Sequence, residues 1–382
     1  MAGRPIAAIV VAGLLCAMLA ALAGCSTLPP NADVPAPVAR DPLMEYARLA
    51  DQPTGIAISS DARIFISFPR WDKAPAYSVA ELLTDGSLRP YPDSSWNRWV
   101  GQAGDPQLSQ HFICVQSVVV DKANNLWILD PASPSFKGVI RGGAKLVKVN
   151  LASDRVEQVI LFDDSVIQPN SYLNDVRIDT ARGVAYITDS GAGAIVVTNL
   201  KDGTSRRVLA RSPSTKAEAG YVSEIDGKPL LQENGRPPQI HADGIALDSG
   251  GDYLYYHALN ARGLYRIGTK YLTDPALSAE QMAARVEKVM ETSLVDGMLM
   301  DEEGNLYLTL PVEKGIKRLG KDGNYTTVVR DPRLQWPDSL ALSPDKVLYM
   351  TDSQINKMPR FNGGKDRRVL PYRVYKILLP MF

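Results

Sequence analysis

The chain has 382 residues, with 42 Lys and Arg balanced by 42 Asp and Glu, and only 3 His and 3 Cys. Zero formal net charge excludes the basic excess of a nucleic-acid binder, and 45% hydrophobic against 22% charged residues excludes a disordered chain. Three cysteines cannot staple a disulfide scaffold, and three scattered histidines leave neither a His-rich zinc site nor an HExxH motif.

Residues 1–24 carry one charge, Arg4, followed by an apolar run over 6–23 and the ending Leu22-Ala23-Gly24-Cys25. A basic start, an apolar stretch and small residues before a break describe an export signal. The run also has the length of a membrane span, so an uncleaved anchor is the alternative. The Leu-Ala-Gly-Cys ending resembles the bacterial lipobox. That resemblance implies cleavage before Cys25, acylation of its thiol, and residence in the bacterial cell envelope, periplasm-facing or at the outer membrane. Residues 25–42 are proline-rich without apolar periodicity, which reads as a semi-extended tether between lipid and domain. Of the remaining cysteines, Cys114 lies in an apolar run and reads as a small buried hydrophobe.

Over residues 43–382 one pattern recurs: a polar or small pair, a short apolar strand, a tight turn and a second apolar strand. The six copies begin at Thr54, Gln116, Asn174, Asp243, Asp296 and Asp338, at intervals of 42 to 69 residues. Each has a Ser or Asp five residues after its leading residue, where the turn opens (Ser59, Asp121, Asp179, Asp248, Asp301 and Ser343). Alternating apolar residues bounded by Asp, Asn, Gly and Ser are the strand-hairpin signal, and one interval holds about four strands. Repeats of this size predict an all-β fold, a six-bladed β-propeller. Residues 43–50 precede the first copy and suit a closing strand that removes an open sheet edge. Two stretches break the regularity. Residues 212–241 are polar and suit a flap or hairpin over one face. Residues 277–292, with capping-box spacing between Ser278 and Gln281, suit a surface helix.

The residues at these positions carry a resemblance. The segments starting at Phe65, Arg89, Val115, Leu126, Tyr172, Leu259, Trp336 and Thr351, among them Leu126-Trp-Ile-Leu-Asp-Pro131 and Trp336-Pro-Asp-Ser339, follow one another in order. This set resembles the yellow / major royal jelly protein family over roughly residues 43–380. The resemblance implies a six-bladed propeller. It leaves the activity open, because members range from binders of small amines in the central channel to proteins linked to melanin chemistry. The hairpin repeat is also similar to that of gluconolactonase / regucalcin-type propellers, which place metal ligands at the leading residues of the innermost strands. Asn174, Asp243 and Asp296 match that pattern, and Thr54 stands where it has Glu.

If the blades are equivalent, Thr54, Gln116, Asn174, Asp243, Asp296 and Asp338 form a ring at one mouth of the channel. Carboxylates gathered there repel one another and raise each other's pKa, which a bound cation or a ligand ammonium relieves. Oxygen donors alone, with Asn174, Asp243 and Asp296 as the metal ligands, suit Ca²⁺ or Mg²⁺. The structural alternative is that these residues only cap turns. Asp130, Asp189 and Asp352 end second strands and read as structural. His241, two residues before Asp243, is a candidate acid/base or a surface residue; His111 and His257 have no partner at metal-ligand spacing. Arg70-Trp71 suits either ligand stacking or blade packing. GxSxG, P-loop and GxGxxG motifs are absent. Two functions follow: a binding propeller for a small cationic or aromatic ligand or a divalent cation, and a metal-dependent lactone hydrolase. A third, a platform for protein partners, stays open for any propeller.

Overall fold

Each repeat closes into one four-stranded antiparallel sheet. The computed structural model describes residues 42–101 and 107–379; the export segment, Cys25 and the tether up to residue 41 lie outside them. Blade 1 holds Ile56–Ile58, Ile64–Ser67, Val79–Leu82 and Leu88–Pro90, and blade 2 holds Ser117–Val120, Asn125–Asp130, Lys145–Asn150 and Arg155–Leu161. Blade 3 holds Leu173–Asp179, Val184–Asp189, Ala194–Asn199 and Ser205–Val208, and blade 4 holds Ala242–Leu247, Tyr253–Ala258, Gly263–Gly268 and Glu287–Glu291. Blade 5 holds Met298–Met300, Leu306–Leu310, Gly315–Leu319 and Tyr325–Arg330. Blade 6 takes Pro337–Leu342, Val347–Asp352 and Tyr372–Leu378 from the end of the chain and its outermost strand, Met44–Leu49, from the beginning. Leu49 pairs with Tyr372 and Met44 with Lys376. The ring is thereby closed by main-chain hydrogen bonds, as the sequence predicts, and the sheet edge at the junction is covered.

The first hairpin of every blade is held by its turn-opening residue. Asp121 Oδ1 accepts from the amides of Ala123 and Asn125, Asp248 Oδ1 from those of Asp252 and Tyr253, and Asp301 Oδ1 from that of Asn305. Ser59 and Ser343 do the same with their hydroxyls toward Arg63 and Val347. A side-chain oxygen that satisfies turn amides makes the tight connection favourable. The Asp residues that end second strands hold the approach to the innermost strand of their own blade. Asp130 accepts from the amides of Ile113 and Cys114, Asp189 from that of Tyr172, and Asp352 from those of Gln335 and Trp336. Cys114 is fully buried, and burial pushes its thiol up to about 12, which makes it packing and not a nucleophile.

Neighbouring blades are joined by a hydroxyl seam. Ser67, Thr188, Thr309 and Thr351 end the alternation of their second strands. Each accepts an amide of its own innermost strand and donates to the leading carbonyl of the next blade: Gln116 O at 2.9 Å, Asp243 O at 2.6 Å, Asp338 O at 3.0 Å and, across the ring closure, Thr54 O at 2.5 Å. The next blade passes so close that Gly244 and Gly297 have no room for a side chain. A Cβ there would lie 2.3 Å from Asp296 O and 2.0 Å from Asp338 O. The Asp-Gly pairs are therefore points of blade contact, not turns. Between the seams, apolar faces interleave; Trp127, Leu146 and Ile160 of blade 2 pack with Val176, Ile187 and Val196 of blade 3. The core is thus spread over the blade interfaces rather than gathered in one centre.

Two sequence expectations are corrected. The stretch 277–292 is not one helix. The capping box of Ser278 and Gln281 forms, but the helix covers only Ala279–Ala283, and Glu287–Glu291 becomes the outermost strand of blade 4. The blade's need for a fourth strand outweighs local helix propensity, which is only tenths of a kcal/mol per residue. In the same blade, Ile245 pairs with Tyr256 as Met298 pairs with Leu308 in blade 5, so the residue equivalent to Thr309 is His257. His257 consequently occupies the seam position. It is fully buried, its Nε2 meets Thr292 Oγ1 at 2.9 Å, and burial lowers its pKa to about 4.

Candidate functional site at the channel mouth

The innermost strands run side by side around the axis, all starting at the same end. At that end lies a cavity of about 360 Å³ lined by Gln116, Asn174, Asp243, Asp296 and Asp338. Five of the six leading residues are therefore brought together. Thr54 is not: its hydroxyl donates to Gln116 O at 2.7 Å and meets Ser67 Oγ at 3.2 Å, inside the seam between blades 1 and 2.

The side chains on the floor face one another, and turn amides are not their partners. Asn174 Nδ2 donates to Asp243 Oδ1, and Trp336 Nε1 donates to Asp296 Oδ2. Tyr172 OH donates to Gln116 Oε1 at 2.9 Å and itself accepts from Trp71 Nε1 at 2.7 Å. Asp338 is 4% exposed, and its Oδ2 has no hydrogen-bond partner among the described residues. Burial, followed by mutual repulsion, raises Asp243 and Asp338 well above the usual carboxylate range. Burial also raises Asp296 to about 7, against the pull of the Trp336 N–H.

A fourth carboxylate stands behind the floor. Asp175, on the innermost strand of blade 3, is buried, and its charge raises Asp243, Asp296 and Asp338 alike. Two residues on, Arg177 bridges the channel by donating to Val176 O at 2.7 Å and Met298 O at 2.5 Å. Both belong to the lining of a second cavity, also about 360 Å³, at the opposite end of the channel.

The mouth has an aromatic wall. Trp71 stacks on Phe136 at 5.2 Å, and Phe136 tilts toward Tyr172 at 5.5 Å. Blade 6 contributes Ile355, Met358, Arg360 and Phe361 from the long connection between its second and third strands. The insertion 212–241 contributes Gln239 and Ile240, and its short hairpin pairs Glu224–Ile225 with Lys228–Pro229. His241 faces away from the cavity: its Nδ1 accepts from Ala217 N at 2.9 Å, and burial lowers its pKa. Arg70 donates to Ile113 O and Trp99 O and lies over the Trp99 ring, so of the Arg70-Trp71 pair only Trp71 reaches the mouth.

For a metal ion the donor set is incomplete. Asn174 presents its N–H to Asp243, one oxygen of Asp296 is taken by Trp336, and the first-blade position is Thr54, turned into the seam. Among the described residues no group of three or more His, Cys, Asp or Glu is arranged as a metal cage.

The family model for "Major royal jelly protein" matches residues 113–371. The chain belongs to this family. Major royal jelly protein 5 of Apis mellifera is 22% identical over 264 residues, 64% of this chain and 40% of that protein. Major royal jelly protein 7 of Apis mellifera is 24% identical over 218 residues, 54% of this chain and 46% of that protein. The chain therefore spans less than half the length of these relatives. Among solved structures, a gluconolactonase from Xanthomonas campestris is similar at 12% identity and a TM-score of 0.53, over 88% of this chain and 89% of that one. A luciferin-regenerating enzyme is similar at 11% identity and a TM-score of 0.52, over 88% of this chain and 94% of that one. At such identities the likeness is one of fold.

Proposed function

We propose that this chain is an exported, lipid-anchored propeller that holds a small organic cation in its mouth cavity, the cationic group on the carboxylate floor and its apolar part against Trp71, Phe136 and Tyr172. The carrying observation is the buried Asp338 Oδ2, which has no hydrogen-bond partner among the described residues and belongs to a residue lining a cavity with Asp243 and Asp296. A desolvated carboxylate cluster is costly until a cation enters it, and aromatic faces favour the same charge. The anchor is the lipid on Cys25 in a bacterial cell envelope. Met44, where the outermost strand of blade 6 begins, lies at the end of the propeller opposite the mouth.

The test is calorimetric titration with 2-phenylethylamine and its uncharged analogue 2-phenylethanol, repeated with Ca²⁺ and with a chelator. The amine is expected to bind and the alcohol to bind at least tenfold more weakly. Affinity is expected to rise with pH as Asp296 ionises around about 7. Binding of Ca²⁺ that a chelator reverses, without binding of the amine, makes the occupant a divalent cation on Asn174, Asp243 and Asp296. Binding of neither overturns the mouth as a cation site. The lactone-hydrolase alternative has no specific support here, since Thr54 is withdrawn from the cavity.

A further inference from the structure

The mouth carries both signs of charge; of its two lining cations Lys137 is exposed, whereas Arg360 is partly buried. Arg360 comes from Pro359–Phe361, a turn within the long connection of blade 6. Its guanidinium lies over the ring of Phe136 at 4.3 Å and over that of Phe361 at 5.1 Å. It forms no ion pair among the described residues. The acid nearest in electrostatic effect is Asp72, whose Oδ2 is already held by Arg368 at 2.9 Å. Burial lowers the pKa of Arg360, as expected of a guanidinium partly stripped of water without a carboxylate in return.

This arrangement sorts ligands by charge. A simple amine satisfies the floor but brings a second positive charge toward Arg360. A simple carboxylate satisfies Arg360 but faces Asp243, Asp296 and Asp338. A molecule with both groups satisfies both ends, and the stack of Trp71, Phe136 and Tyr172 lies alongside for an aromatic body. We infer that the ligand class is a small aromatic zwitterion, with its ammonium on the acidic floor and its carboxylate on Arg360 as a charge-assisted, two-pronged hydrogen bond. This rests on the mouth being the cation site proposed above and adds the anion seat that selects among cations.

The experiment uses three probes of one skeleton, phenylalanine, 2-phenylethylamine and 3-phenylpropionate, titrated into the full chain and into Arg360→Gln and Arg360→Lys. In the unaltered protein phenylalanine is expected to bind roughly ten- to a hundredfold tighter than either single-charge probe. Arg360→Gln is expected to collapse the preference for phenylalanine over the amine to near unity, and Arg360→Lys to restore part of it. Melting curves of the variants separate loss of the anion seat from loss of fold. If the amine binds the unaltered protein as tightly as phenylalanine, or if Arg360→Gln leaves the ratio intact, the anion seat is refuted while the cation site stands. If none of the three binds, the cation site falls and the anion seat with it.

Discussion

The two ends of the channel enclose cavities of the same size, about 360 Å³ each, and both are lined by aspartates of the repeats, from blades 4, 5 and 6 at the mouth and from blades 2 to 5 at the far end. At the far end Asp121, Asp179, Asp248 and Asp301 open turns and accept turn amides, while Asp175 stands behind the mouth floor. Asp121 alone accepts from two backbone amides, the Asn125 side chain and the Trp127 indole. At the mouth the aspartates are leading residues gathered on one floor, with one oxygen of Asp338 lacking a partner among the described residues. One end has carboxylates that build the fold. The other has a carboxylate cluster in which Asp338 Oδ2 has no hydrogen-bond partner among the described residues, beside an aromatic wall. An acidic ring alone does not mark a site; the balance of hydrogen bonds around it does.

The sharpest way to break this contrast is to disturb the seam that holds the mouth ring in register. Gly297→Ala would place a methyl 2.0 Å from Asp338 O, forcing blades 5 and 6 apart, and is expected to cost about 3 kcal/mol or more in chemical denaturation. Native-like stability of this variant would show that the seam yields easily. A step smaller, Asp121→Ala at the far end removes the acceptor of several amides and is expected to destabilise by about 2–3 kcal/mol, without changing ligand affinity at the mouth. A loss of affinity there would mean the two ends are not independent.

Most of the fold is legible in the repeat, because blade architecture depends on local signals: apolar alternation, the Ser or Asp at the turn, and a spare strand ahead of the first copy. The outermost strand Glu287–Glu291 was hidden because its sequence suits a helix as well, and only the unfilled edge of blade 4 decides. The site is legible in part. Register alone places Gln116, Asn174, Asp243, Asp296 and Asp338 together, but not Thr54, whose small hydroxyl reaches the seam. Asp175 and Arg177 have a signal too. The other copies carry Gly or Ser at the first position and Ala, Val or Leu at the second, so a charged pair in blade 3 is not demanded by the architecture. Arg360 has none of that kind. It sits in the connection between the second and third strands of blade 6, and only the length of residues 353–371, against 131–144 in blade 2 and 190–193 in blade 3, sets it apart.

The smallest expected effect is the one that separates the two ends by sign. Asp338→Asn keeps the shape of the side chain and removes its charge. In the folded protein Asp243, Asp296 and Asp338 are raised above the ordinary value of 3.8, first by burial and then by repulsion, from Asp175 on all three and from Asp296 on Asp243 and Asp338. A carboxyl raised in the folded state binds more protons there than in the unfolded chain, so its contribution is fully present below about pH 4 and is lost as pH rises through the folded value. For Asp296 that loss is complete only above about 7. The ligand-free protein is therefore expected to melt at lower temperature at pH 8 than at pH 5. Asp338→Asn relieves repulsion only where its neighbours are charged. It is expected to stabilise by about 1–2 kcal/mol at pH 8, a rise of about 2–4 °C, and to have little effect at pH 4. The same substitution is expected to weaken binding of a cationic probe. A variant less stable at pH 8 would show that the Asp338 charge is already compensated within the fold, and the mouth would then resemble the far end of the channel.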